Sequence, residues 1–168
     1  MVDAMRDAFR IANEGRKGPV LVDMTKDVTD ALVDYEPAPN YPLKKKQDPH
    51  EETKLARIAE YINSAERPVM LVGGGAIAAE AAEEVQQLMK KADIPVVNTL
   101  MGLGTVPSSE ERFFGMLGMH GSYAANRCVA EADLLLAVGT RFSDRVALNP
   151  KKFAKKAKVL QIDLDRSE

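Results

Sequence analysis

Three short runs, VMLV (69–72), IPVV (94–97) and DLLLAVG (133–139), constrain this chain more than anything else in it. A strand with one wet face alternates polar and apolar residues; these are continuously apolar. Strands of that kind are buried on both faces and belong in a parallel sheet, whose crossover connections lay helices on either side. AKVLQIDLD (157–165) reads as a fourth strand. The segments between supply the helices. Leu55, Ile58, Ala59 and Ile62 make one apolar stripe, and Ala81, Val85, Leu88, Met89 and Ala92 a second. SYAANRCVAEA (122–132) reads as a third helix, with Cys128 as a small apolar residue on it. Asp48-Pro49-His50-Glu51 fits the start of the first helix as a capping-box variant, with proline where its missing N–H costs nothing. The expected fold class is therefore α/β: a doubly wound, mainly parallel, Rossmann-like sheet with helices on both faces, spanning residues 48–168.

The first residues read differently. MVDAMRDAFRIANE (1–14) places Ala4, Met5, Ala8, Phe9 and Ala12 on one helical face, Gly15 ends that helix, and PVLVDM (19–24) reads as a buried strand. One helix and one strand cannot bury their apolar faces alone, so residues 1–29 are expected to be the end of a preceding domain. Residues 30–47 are expected to be a linker, because Pro37, Pro39 and Pro42 forbid regular structure through most of it. Lys44, Lys45 and Lys46 in that linker are either solvated or a phosphate contact. The sheet domain is expected to continue beyond residue 168.

Composition narrows the function. A net charge of −2 argues against nucleic acid as a partner, and no apolar run has the length of a membrane span. The segment 1–10 is charged and amphipathic, unlike a secretory signal. A single cysteine excludes an intrachain disulfide and fits the cytoplasm. Two histidines and one cysteine, far apart, offer no metal cluster.

Ligands on doubly wound sheets bind at the carboxyl ends of the strands, and the unusual residues of this chain follow those ends. Gly73-Gly74-Gly75 follows the first strand, where glycines let backbone approach a ligand or simply make a tight turn. NTLMGLG (98–104) follows the second, and GMLGMHG (115–121) leads into the helix at 122. Met116, Leu117 and Met119 are suited to padding a flat aromatic ligand or to filling core. His120 is either a hydrogen-bonded loop residue or a ligand contact. Gly139 precedes Arg141 and Arg145, which are suited to gripping phosphates or to pairing with Asp144. Asp163 at the last strand tip suits ribose or ribityl hydroxyls, or a loop cap. No nucleophile–base pair and no paired acid and base stand beside these residues. The pattern is that of a cofactor cradle without catalytic residues.

LVGGGA (71–76), NTLMGLGTVP (98–107), FFGMLGMHGSYAAN (113–126), AVGTRFSDRV (137–146) and IDLD (162–165) resemble the large, catalytic subunits of the acetohydroxyacid (acetolactate) synthases. The resemblance extends to GRKGPVLVDMTKDV (15–28) and so covers nearly the whole chain. It implies a thiamine-diphosphate enzyme that also binds FAD, built from three α/β domains of which the middle one cradles the flavin. On that resemblance Met119, His120 and Gly121 lie alongside FAD, with Leu117 and Gly118 in the same cradle. Gly74, Gly75, Thr99, Leu100 and Met101 line its path, as do Gly139, Arg141, Asp144, Arg145, Asp163 and Asp165. Two departures stand out: Ser143 replaces the first acid of the usual RFDDR, and Arg166 the usual proline after the last strand. Thiamine diphosphate and Mg2+ are implied for other domains, and no GDG motif occurs in these residues. The implied reaction condenses two 2-oxo acids with loss of CO2, FAD doing no net redox, in a homodimer or tetramer with a regulatory small subunit. These residues alone are expected to be inactive. Pyruvate oxidase, glyoxylate carboligase and oxalyl-CoA decarboxylase share the sheet and are alternatives, as is a free-standing nucleotide-binding module.

Overall fold

The computed structural model describes residues 1–37, 51–165 and 167. The chain divides into two compact units, Met1–Asp48 and Pro49–Glu168.

The first unit begins with the expected helix, α1 (Val2–Asn13). It is strongly amphipathic yet buries no residue fully. Arg10 pairs on its surface with Asp7 at 3.1 Å and Glu14 at 2.9 Å. The strand expected at 19–24 does not form: these residues run without secondary structure and Leu21 is 92% exposed. A strand exists only by pairing, and no described residue of this unit offers a second one. A short helix, α2 (Lys26–Asp30), follows instead. The Lys44–Lys46 triplet and the cap at 48–50 lie outside the described residues.

The second unit is the doubly wound sheet. Helix α3 (Glu51–Ser64) leads to β1 (Pro68–Val72), then α4 (Gly74–Ala78), α5 (Ala82–Ala92) and β2 (Val96–Asn98). A 3-10 turn over Leu100–Gly102 precedes β3 (Phe113–Met116), α6 (Tyr123–Glu131) and β4 (Leu134–Val138). Helix α7 (Asp144–Ala147) and β5 (Lys158–Ile162) complete it. The strands lie in the order β3-β2-β1-β4-β5, every neighbouring pair parallel. The chain runs outward from β1 to one edge and crosses back to β4, so the order reverses between β1 and β4.

Alternate residues of the central strands feed two separate cores. Val69, Leu71, Val97 and Leu135 pack beneath α6 with Ala125 and Val129. Met70, Val72, Val96 and Leu136 pack on the other face with Ala76 of α4 and Val85 and Met89 of α5. Continuous apolarity in the strands is thus the mark of two covered faces.

Three expectations need correction. The stripe on α3 is narrower than its spacing suggests: Ile58 and Ile62 pack on the sheet, while Leu55 and Ala59 are exposed. The last turns of α3 lie over β5, where Lys158 Nζ sits 3.7 Å from the Tyr61 ring centroid. The single helix expected after β1 is two, because Glu80 takes a left-handed φ of +56° and Ala81 N–H closes back on Ala76 O at 2.9 Å. The glycine-rich stretch 98–121, in which no strand is expected, contains β3, an edge strand of four residues with Gly115 inside it and a shifted register against β2.

Candidate functional site at the carboxyl edge of the sheet

The reversal between β1 and β4 brings two glycine turns against each other. Gly73 N–H donates to Val138 O at 2.9 Å, and Gly75 N–H to Gly139 O at 2.8 Å. A Cβ on Gly75 would stand 2.6 Å from Gly139 Cα, and one on Gly139 would stand 2.6 Å from Ala76 N. Gly139 also has φ +55°. These turns therefore meet backbone to backbone, and only glycine permits it. Thr99 N–H donates to Val72 O at 2.9 Å and Gly139 N–H to Ile162 O at 2.8 Å, so four strand tips share one hydrogen-bonded floor. The switch point of a doubly wound sheet is where folds of this kind accept a ligand.

Asn98 holds the loop after β2. It is fully buried; its Nδ2 donates to Gly102 O at 2.7 Å and to Thr105 Oγ1 at 3.0 Å, while Thr105 Oγ1 donates to Gly102 O at 2.8 Å. The other side-chain atom, Oδ1, is buried without a partner. Held this way, the loop presents Leu100 and Met101, 68% and 73% exposed. Met101 Cβ lies 3.0 Å from where a Gly74 Cβ would be, so the loop leans onto α4.

The loop after β3 is tied to α6. Ser122 caps that helix: its Oγ accepts from Ala125 N–H at 3.0 Å and donates to Phe114 O at 2.7 Å. Leu117 is buried in the core under α6, so of its two sequence readings the structure fits core filling. Gly118 is buried as well. Met119, 57% exposed, and His120 stand outside. Cys128 packs against the same core, and burial raises its thiol pKa, as befits a packing residue.

Arg141 and Arg145 are exposed, and among the described residues neither guanidinium has an ion-pair partner. The alternative of pairing with Asp144 is not seen; Asp144 Oδ1 accepts instead from Arg145 N–H at 2.9 Å. Met119 N–H donates to Arg145 O at 3.0 Å, which places the methionine–histidine loop beside the arginine loop. Asp163 is exposed and accepts Asp165 N–H at 2.9 Å, a turn bond that leaves its second oxygen to solvent. Gly74, Gly75, Thr99 and Gly139 thus lie on the floor, Leu100 and Met101 on one side, and Met119, His120, Gly121, Arg141 and Arg145 on the loops of the same edge. Asn98, Thr105 and Asn126 escaped the sequence reading. Asn98 left a trace: a polar residue ending a buried apolar strand must find partners.

The edge thus joins a glycine floor, exposed apolar side chains and two unpaired cations, on a sheet ordered as in dinucleotide-binding folds. That defines a Rossmann-like domain. The chain matches the family described as thiamine pyrophosphate enzyme, central domain, over residues 55–168, and it belongs to that family. It is 44% identical to a probable acetolactate synthase large subunit of Methanocaldococcus jannaschii, covering 99% of this chain and 29% of the relative. It is 43% identical to the acetolactate synthase isozyme 1 large subunit of Escherichia coli, covering 98% and 29%. Against the chloroplastic acetolactate synthase of Arabidopsis thaliana it is 40% identical, covering 98% and 25%. The chain therefore spans under a third of the length of these relatives.

Proposed function

We propose that this chain is the flavin-holding central part of an acetolactate synthase large subunit. The enzyme condenses pyruvate with a second 2-oxo acid, releasing CO2, in branched-chain amino acid synthesis. The observation that carries the reading is 40–44% identity, over nearly the whole chain, to proteins named for that activity in an archaeon, a bacterium and a plant.

FAD is the ligand proposed for the carboxyl edge. The chemistry of the edge fits it. Gly75 and Gly139 bring the turns after β1 and β4 into backbone contact, so the floor between them carries no side chain. Arg141 and Arg145 offer unpaired guanidinium groups to a diphosphate. Leu100, Met101 and Met119 are exposed apolar side chains against which a flat ring system packs. Asp163 keeps an oxygen for a ribityl or ribose hydroxyl. In this reading FAD supplies no net redox chemistry and acts as a structural group. Thiamine diphosphate and Mg2+ belong to other parts of the enzyme, a regulatory small subunit and a second copy are its partners, and the cytoplasm is its compartment. Among the described residues no helix is long and apolar enough to cross a membrane.

The test is turnover. Full-length protein supplied with pyruvate, thiamine diphosphate, Mg2+ and FAD should form acetolactate, and the 168 residues alone none. Oxidation of pyruvate, or its decarboxylation without carbon–carbon bond formation, would assign the chain to another branch of the family.

A further inference from the structure

Asn126 sits in the first turns of α6, half-buried, and its side chain pairs with both backbone groups of one distant residue. Oδ1 accepts from Gly118 N–H at 3.3 Å. Nδ2 donates to Gly118 O at 3.1 Å and to Ser122 O at 3.0 Å. Gly118 itself has φ +108°, and a Cβ there would collide with the carbonyl oxygen of Arg145. One residue on, Met119 N–H donates to that same carbonyl at 3.0 Å. The peptide that Asn126 holds is therefore the surface on which the arginine loop rests.

The geometry points to Asn126 as a positioning residue: by gripping Gly118 it locks the 117–121 loop to the 141–145 loop and fixes Met119 and His120 relative to Arg145. The physical need is plain. A glycine at positive φ is the freest backbone in the loop, and without a fixed partner it samples many states. A ligand that touches both loops would then have to order them on binding, at the expense of affinity. Asn126 removes that cost beforehand. The consequence for FAD rests on the function proposed above; the coupling of the two loops does not.

Two readouts on the full-length protein separate these claims. The first is amide hydrogen exchange without FAD, on wild type and on Asn126→Asp. Aspartate keeps the shape but loses both Nδ2 donors and turns a carboxylate toward two carbonyl oxygens. Exchange should quicken at Met119 and also at Val146 and Ala147, whose amides bond Ser143 O, while β1 and β4 keep their protection. Quickening confined to the 117–121 loop overturns the coupling. The second is FAD affinity. N126D should weaken it about tenfold, the worth of one lost hydrogen bond, and N126D with R145A should bind no worse than the weaker single variant. Losses that multiply in the double variant, or unchanged affinity in N126D, overturn the positioning role. Should wild type take up no FAD, the proposed cofactor is wrong and the exchange result alone decides the coupling. Asn126→Ala serves where the aspartate variant does not fold.

Discussion

At the scale of single residues, the account depends most on positions where the side chain is dictated by its surroundings. Gly139 is one. Its φ of +55° and the closeness of Ala76 N leave a methyl group nowhere to go. Gly139→Ala should therefore destabilise the fold by about 2 kcal/mol or more, read as a fall in the urea midpoint. A change within error would mean the two turns are free to separate. Asp133 is another, on the opposite edge of the sheet. Desolvation pushes its carboxyl pKa up, but the N–H groups of Glu66 at 2.8 Å and Arg67 at 2.9 Å, its own N–H and the Arg67 charge together hold it below its ordinary value of 3.8. A folded-state pKa below the unfolded one gives stability that is complete above the unfolded value and drains away as pH falls through the folded one. Asp133→Asn should be less stable than wild type at neutral pH, and the gap should narrow as pH drops below 3.8. A gap independent of pH in thermal melts would show the carboxylate charge to be irrelevant.

At the scale of elements, what could be read in advance follows from where the information lies. The central strands are legible because burial on both faces leaves no polar position, as in Val69–Val72 and Leu134–Ala137. β3 is not, because FFGM is short, half-buried and interrupted by Gly115, and only its pairing with β2 makes it a strand. Residues 19–24 err the other way: the apolar run is there, but no described neighbour pairs with it. The candidate edge divides similarly. Its glycines and arginines stand out by type and by following strand ends. Asn98, Asn126 and Thr105 do not, since a lone polar residue becomes a staple only through partners far along the chain. Ser122 shows how local and distant roles combine, capping α6 while its hydroxyl holds Phe114 O. Ser122→Ala should cost about 1 kcal/mol for the cap. It should also raise hydrogen exchange near β3, because the second bond is lost with the first. Loss of stability without a change at β3 would reduce Ser122 to an ordinary cap.

At the scale of the whole molecule, the two units differ in how well they cover themselves. The sheet unit encloses two cores. In the first unit Phe9 is 70% exposed, Leu21 92% and Leu32 fully. Apolar area of that kind left to solvent drives association. The 168 residues, purified by themselves, should sediment as a mixture that shifts with concentration, and Phe9→Asp should reduce the shift. A single monomeric species across concentrations would show these side chains to be tolerated in water. The carboxyl edge is a different matter, because its exposed groups are mixed in character and set around a backbone floor. That combination is the central claim, and it is tested most directly by titrating full-length protein with FAD, following quenching of flavin fluorescence, with NAD as competitor and Arg141→Ala alongside. The account predicts saturable binding that NAD does not displace and that R141A weakens about tenfold or more, as the loss of a charge-assisted contact. Saturable binding that R141A leaves untouched, or no binding at all, would contradict it.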